Sequence, residues 1–145
     1  MNTTSTRLPS PGLFRRLAVV VYDALVLLAV LFLATAVALP VTHGLAIEPE
    51  NPLFQAYLLA VAFLYLGWFW TRAGQTVAMR AWRLRVVDLD GGAISWRQAG
   101  LRFVAALLSW AAFGLGFLWI AVDKENRAWH DILSGTRVVQ DPKPQ

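Results

Sequence analysis

The sequence has no cysteine, so no disulfide framework and no thiolate chemistry is open to it. It has little charge. Only 15% of its 145 residues are Asp, Glu, Lys or Arg, while 57% are hydrophobic. Soluble domains carry about 25% charged residues and about 45–50% apolar ones. A soluble chain of this size could not bury so much apolar surface, and a disordered chain would show the opposite balance. Histidine is scarce, with His43 and His130 far apart in the chain, which leaves a metal site without enough ligands. What remains is a small integral membrane protein with a net charge of +4 to account for.

The apolar residues fall in three runs. Leu17 to Leu39 is 23 residues, broken only by Tyr22, Asp23 and Thr35. At 1.5 Å per residue it reaches about 34 Å, enough to cross a bilayer core. An aspartate inside it, its length and a second run close behind argue against a cleaved signal peptide. Leu53 to Trp70 is a second, shorter span of 18 residues. Leu101 to Val122 carries Arg102 near its start and Gly114-Leu115-Gly116 in its middle.

The Lys and Arg residues are placed unevenly. Three precede or begin the first run, none lies between Pro40 and Pro52, six lie in Thr71 to Arg102, and four follow Asp123. Short cytoplasmic loops carry such an excess. The N-terminus and the central region are therefore expected on the cytoplasmic side of a cell (inner) membrane, in a multi-pass arrangement. The excess suits topology and anionic lipid headgroups better than nucleic acid, because no nucleic-acid reader motif accompanies it. The same count favours a third run that enters and returns over one that crosses once, and the Gly-Leu-Gly break allows it. Ser95-Trp96-Arg97-Gln98 is a capping box that starts its first arm. The second arm is expected to run on as a more polar helix to Leu133 and to stop at Gly135.

Between the second and third runs, Gln75 to Ala81 reads as a short interfacial helix. Trp82, Leu84 and Val86 alternate with Arg83 and Arg85 as in a half-buried strand. Asp88 to Gly92 reads as a turn, and Thr136 to Val139 as a second strand that could pair with the first. The expected fold is thus an all-α membrane protein. It has two transmembrane helices, a Gly-broken helical hairpin and a small cytoplasmic two-stranded element. Residues 1–12 and 140–145 are expected as flexible tails around a single 13–139 membrane domain.

The charges inside apolar sequence are the candidate site: Arg16, Asp23, Arg102, His130 and Asp131. Intramembrane carboxylates mark ion and proton pathways, and they also form structural ion pairs that fix helix packing. For Asp23 the expected partners are Arg102, Arg16 or both. Adjacent helical residues point about 100° apart, so His130 and Asp131 do not make a dyad with each other. Asp131 is expected as a cap, or as a partner of Arg80 or Arg127. There is no nucleophile motif, no catalytic constellation and no cofactor fingerprint, so no enzyme activity is expected.

In order along the chain these residues resemble the RDD family of small membrane proteins. The resemblance rests on Arg15-Arg16-Leu17 with Asp23, on Gly74-Gln75-Thr76, and on Leu84-Arg85-Val86-Val87-Asp88 with Gly91-Gly92. It continues through Arg102 to His130-Asp131, Leu133 and Gly135-Thr136. Ala78 departs from it, standing where the family often has glycine. The resemblance implies that Arg16, Asp23 and Asp131 take the named arginine and aspartate roles. Some family members are proposed as sodium–proton antiporters, so it also implies cation/proton exchange. The alternative is a non-transporting scaffold or accessory subunit that binds a partner through its cytoplasmic loop and tail. Because two or three helices make a poor pathway alone, a homo-oligomer or a membrane partner protein is expected with a transporting form.

Overall fold

The structure is a computed structural model that describes residues 8–142. Residues 1–7 and 143–145 of the two expected tails lie outside the described residues.

Helix α1 spans Leu13–Ala38, and a 3-10 turn over Leu39–Thr42 follows it. Pro40 ends the α-helical ladder, and His43 and Gly44 turn the chain with positive φ. Helix α2, Pro52–Arg72, starts where Asn51 accepts from the backbone N–H groups of Leu53 (2.9 Å) and Phe54 (3.3 Å), with Pro52 in the first helical position. The Tyr57 hydroxyl donates to the Ala34 carbonyl at 3.0 Å and ties α1 to α2. The stretches Leu13–Thr42 and Pro52–Ala81 are both long and apolar enough to cross a membrane.

Helix α4, Trp96–Ala111, opens on the expected capping box of Ser95 and Gln98. It ends before Gly114, which adopts φ 77°. There the chain bends by 106° into α5, Leu115–Leu118, and a 3-10 turn over Trp119–Ala121. The second arm does not continue as one helix. The Asp123 side chain accepts from the N–H groups of Glu125 (3.0 Å) and Arg127 (2.9 Å), and Asn126 takes φ 55°. That side-chain-to-backbone turn outcompetes helix. A new short helix, α6, runs over Trp129–Ser134 and is closed by Gly135 at φ 64°.

The short helix α3 covers Val77–Ala81, capped by Thr76. Strand β1 is Leu84–Asp88 and β2 is Thr136–Gln140, paired antiparallel with Val86 opposite Val138. The first strand begins two residues later than the sequence alternation suggests. Trp82 belongs to the end of α3, and Arg83 reverses the chain at φ 55°. The corner between α2 and α3 adds to the ribbon through the Val86 N–H, which donates to the Gly74 carbonyl at 2.7 Å. A Cβ on Gly74 would lie 2.9 Å from the Val86 carbonyl oxygen, so the corner requires glycine.

The core gathers at this end of the molecule. Val19, Trp70, Met79, Leu84, Val86, Ile94, Ala99 and Val138 form one buried cluster. Farther along α1 the picture inverts, with Leu25, Leu28, Phe32 and Leu33 all largely exposed. Such a surface is an aggregation hazard in water and a match for acyl chains in a bilayer.

Candidate functional site

Three helices place three charges together. Arg16 stands in the first turns of α1, Arg102 lies within α4, and Asp131 is the third residue of α6. The Asp131 carboxylate reaches back to accept from the Ala128 N–H at 3.0 Å, the acidic half of a capping box. That local bond aims the same carboxylate inward. Its Oδ1 accepts from Arg102 Nη1 at 2.7 Å, and its Oδ2 accepts from Arg16 Nη2. Arg102 Nη1 also donates to the Thr136 hydroxyl at 2.6 Å, and the guanidinium lies 5.1 Å over the Trp70 ring. Arg16 Nη1 donates to the Asn126 carbonyl. Arg16, Arg102 and Asp131 are all buried.

His130 packs against Phe117, with ring centroids 5.3 Å apart. Its Nε2 lies 3.6 Å from Asp131 Oδ1, beyond a hydrogen bond. Burial, reinforced by the two arginines, pushes its imidazole down to about 3, so it is neutral. Burial alone would raise the Asp131 carboxyl, but Arg16 and Arg102 outweigh it and hold the group well below the usual carboxylate range. Two guanidiniums and one carboxylate leave the cluster with one excess positive charge.

Asp23 does not join this cluster. The expected pairing with Arg16 or Arg102 is corrected by the geometry: both arginines are taken by Asp131. Helical side chains tilt toward the helix N-terminus, so Arg16 reaches away from Asp23. The partners expected for Asp131 are corrected too. Arg127 pairs with Asp123 at 3.1 Å, and Arg80 is exposed. Asp23 Oδ2 instead accepts from the Thr76 hydroxyl at 2.5 Å, and its Oδ1 is buried with no partner among the described residues. Thr76 thus serves two ends at once, since its oxygen also accepts from the Met79 N–H at 3.2 Å. Thr76, Thr136 and Trp70 are site residues that charge counting missed. The signal for Thr76 was its position three residues before Met79, as a helix cap.

A cavity of about 280 Å³ runs along α1 from Val19 to Leu31 and faces α2 and α4. Asp23, Arg102 and His130 line it together with Trp70, Trp110 and Phe117. A smaller cavity of about 40 Å³ lies against Arg16, Arg102 and His130. Among the described residues no group of three or more His, Asp or Glu is placed to hold a metal ion.

These features define a helical membrane-type protein whose first, fourth and sixth helices are pinned by a buried arginine–aspartate–arginine cluster. The chain belongs to the RDD family, whose pattern matches residues 10–135 and takes in all five candidate residues. It is 31% identical over 96 residues to the uncharacterised protein YckC of Bacillus subtilis (strain 168), a match covering 63% of this chain and 62% of that one. The chain therefore spans less than two thirds of that relative's length. No solved structure matches it.

Proposed function

We propose that the protein exchanges a small monovalent cation for protons, with Asp23 as the exchanging group. One observation carries this reading: Asp23 sits within an apolar helix, lines a cavity and has no ion-pair partner among the described residues. A carboxylate kept in a membrane span at a cost of up to about 2.5–3.5 kcal/mol needs a reason. A structural ion pair is the ordinary one, and here the nearby arginines are engaged elsewhere. Thr76 orients one oxygen and leaves the other for a proton or a cation. Arg16, Arg102, His130 and Asp131 then hold the helices around the cavity and set its potential.

In this reading the protein is a multi-pass cell (inner) membrane protein with a cytoplasmic N-terminus. The uneven placement of Lys and Arg supports a chain that turns back at the α4–α5 bend to the cytoplasmic side, with the ribbon and the basic segments there against anionic headgroups. Its exposed α1 face packs against lipid or further copies, and the working form is an oligomer. The protein acts as an exchanger and not as an enzyme.

The test is proton flux into proteoliposomes under an imposed sodium or potassium gradient. Wild type should move protons, and Asp23→Asn should abolish flux while keeping the thermal unfolding of wild type. Equal flux from Asp23→Asn, or none from wild type, would sink the exchanger. A stoichiometric co-purifying protein in the second case would favour the scaffold reading.

A further inference from the structure

Strand register puts two arginines on one face of the ribbon. Arg85 stands opposite Val139 and Arg137 opposite Val87. Side chains alternate along a strand, so both arginines lie on the face away from the Leu84, Val86 and Val138 core. They are diagonal neighbours, with Cα atoms about 7–8 Å apart in such a pair. A cavity of about 130 Å³ lies here, lined by Arg72, Arg85, Gly74, Gly91 and Gly92 among others. That is about four times one water's share of the liquid, room for a tetrahedral oxyanion. The three glycines put no side chain into it.

Arg85 is held in place. It donates from Nη1 to the Ala73 carbonyl at 3.2 Å and from Nη2 to Asp141 at 3.2 Å. Neither Arg137 nor Arg72 makes an ion pair among the described residues. Arg137 Nε is buried with no partner among them, and its Nη2 lies 3.9 Å from where a Cβ on Gly91 would stand. Nε–H and Nη2–H form the side-on fork of a guanidinium, and a small swing presents both to two oxygens of one anion. The Arg72 guanidinium lies 4.7 Å over the exposed Trp68 ring, a weak hold in such a place, so an anion in the cavity can draw it across.

The charges agree. Asp141 is occupied by Arg85, and the Asp88 carboxylate is turned onto the N–H groups of Asp90 (2.9 Å) and Gly92 (3.0 Å). Asp90 stands exposed at the turn, where water screens it. Three guanidiniums against Asp88 and Asp141 leave one positive charge, which one phosphodiester neutralises.

We propose that this cavity binds one phosphate group, borne by an anionic lipid headgroup or free in solution. Trp68, Trp82 and Trp96 are partly exposed around the end of α2 and the start of α4, as indoles are at headgroup level. The lipid source rests on the cytoplasmic-surface placement proposed for the ribbon. Phosphate binding itself does not, and neither involves Asp23.

The test is thermal unfolding of the purified protein in neutral detergent. It is titrated with sodium phosphate at constant ionic strength, with dioctanoyl phosphatidylglycerol, or with dioctanoyl phosphatidylcholine. Wild type should gain Tm with a saturating dependence on phosphate or phosphatidylglycerol. Arg72→Gln and Arg137→Gln should each raise the half-saturating concentration about tenfold, the loss of one charge-assisted contact. Arg80→Gln, which removes an exposed arginine outside the cavity, should change it by less than about twofold. Saturation by phosphatidylglycerol alone assigns the lipid source. Saturation by phosphate, with the two lipids alike, assigns the free anion, and either result supports the site. No saturable gain from phosphate or phosphatidylglycerol overturns it, as does an Arg80→Gln loss equal to those of Arg72→Gln and Arg137→Gln. Asp23→Asn should bind like wild type, so this result and proton flux can fail separately.

Discussion

Asp131→Asn tests the reading of the charge cluster most directly. The carboxylate is fully buried and accepts from Arg16, from Arg102 and from the Ala128 N–H. An asparagine keeps the shape but only one acceptor oxygen. With its amide in the Oδ2 position it faces two donors, Arg16 and Ala128. In the Oδ1 position it faces Arg102 alone, and Arg102 retains Thr136. The second orientation is cheaper. It still gives up a charge-assisted bond of about 1.5–3 kcal/mol. It also raises the buried excess from one positive charge to two. Removing one side of a buried ion pair costs about 3–5 kcal/mol in all. For a chain of this length that lowers Tm by about 10 °C, at about 2–4 °C per kcal/mol. Tryptophan fluorescence during thermal unfolding in mild detergent reads it, with Trp70 beside Arg102 as an internal reporter. Arg16→Met supplies the control, because it leaves Arg102 and Asp131 as a neutral pair and should cost less. The reasoning fails if Arg16→Met costs as much as Asp131→Asn, or if Asp131→Asn shifts Tm by less than about 3 °C.

Two further outcomes follow from His130 and from the α4–α5 bend. The His130 imidazole lies at about 3 when folded, against an ordinary value of 6.5, so between those pH values the unfolded chain holds a proton that the folded chain does not. Stability should therefore fall as pH drops below 6.5, by up to about 1.4 kcal/mol per unit, and His130→Phe should flatten the slope in urea titrations; an unchanged slope would contradict a buried neutral imidazole. Gly116→Ala puts a Cβ at 2.7 Å from Ser109 Cβ and 2.8 Å from Trp129 Cε3, wedging α5 from α4 and α6. It should cost about 1–3 kcal/mol by the same unfolding assay, more than Gly67→Ala, whose Cβ meets only the half-exposed Trp96 ring; a reversed order would refute the packing account.

Local features of the fold were readable because local chemistry makes them. The Ser95–Gln98 box starts a helix at the residues where those side chains can satisfy free N–H groups. Gly114 and Gly135 take backbone angles that other residues avoid. The second arm of the hairpin was misread as one helix. Its apolar run gave no hint that the Asp123 side chain would capture two N–H groups and fold the chain into a turn. The ribbon was found, but its first strand was placed early, since alternation does not reveal that Arg83 reverses the backbone.

The site divides along the same line. Arg16, Asp23, Arg102, His130 and Asp131 stand out in the sequence because charge is rare in apolar surroundings and each instance has a cost. Composition and run length likewise settle, without any coordinates, that this is a membrane-type chain. Who pairs with whom was beyond the sequence. Arg16 and Asp131 are 115 residues apart, and nearness along α1 pointed to Asp23 instead. Only the packing of α6 against α4, which brings Asp131 within reach of the Arg16 side chain at the start of α1, gives both arginines to Asp131. That allocation leaves Asp23 with a threonine and an open cavity, because a buried carboxylate that already holds two guanidiniums leaves neither for a second.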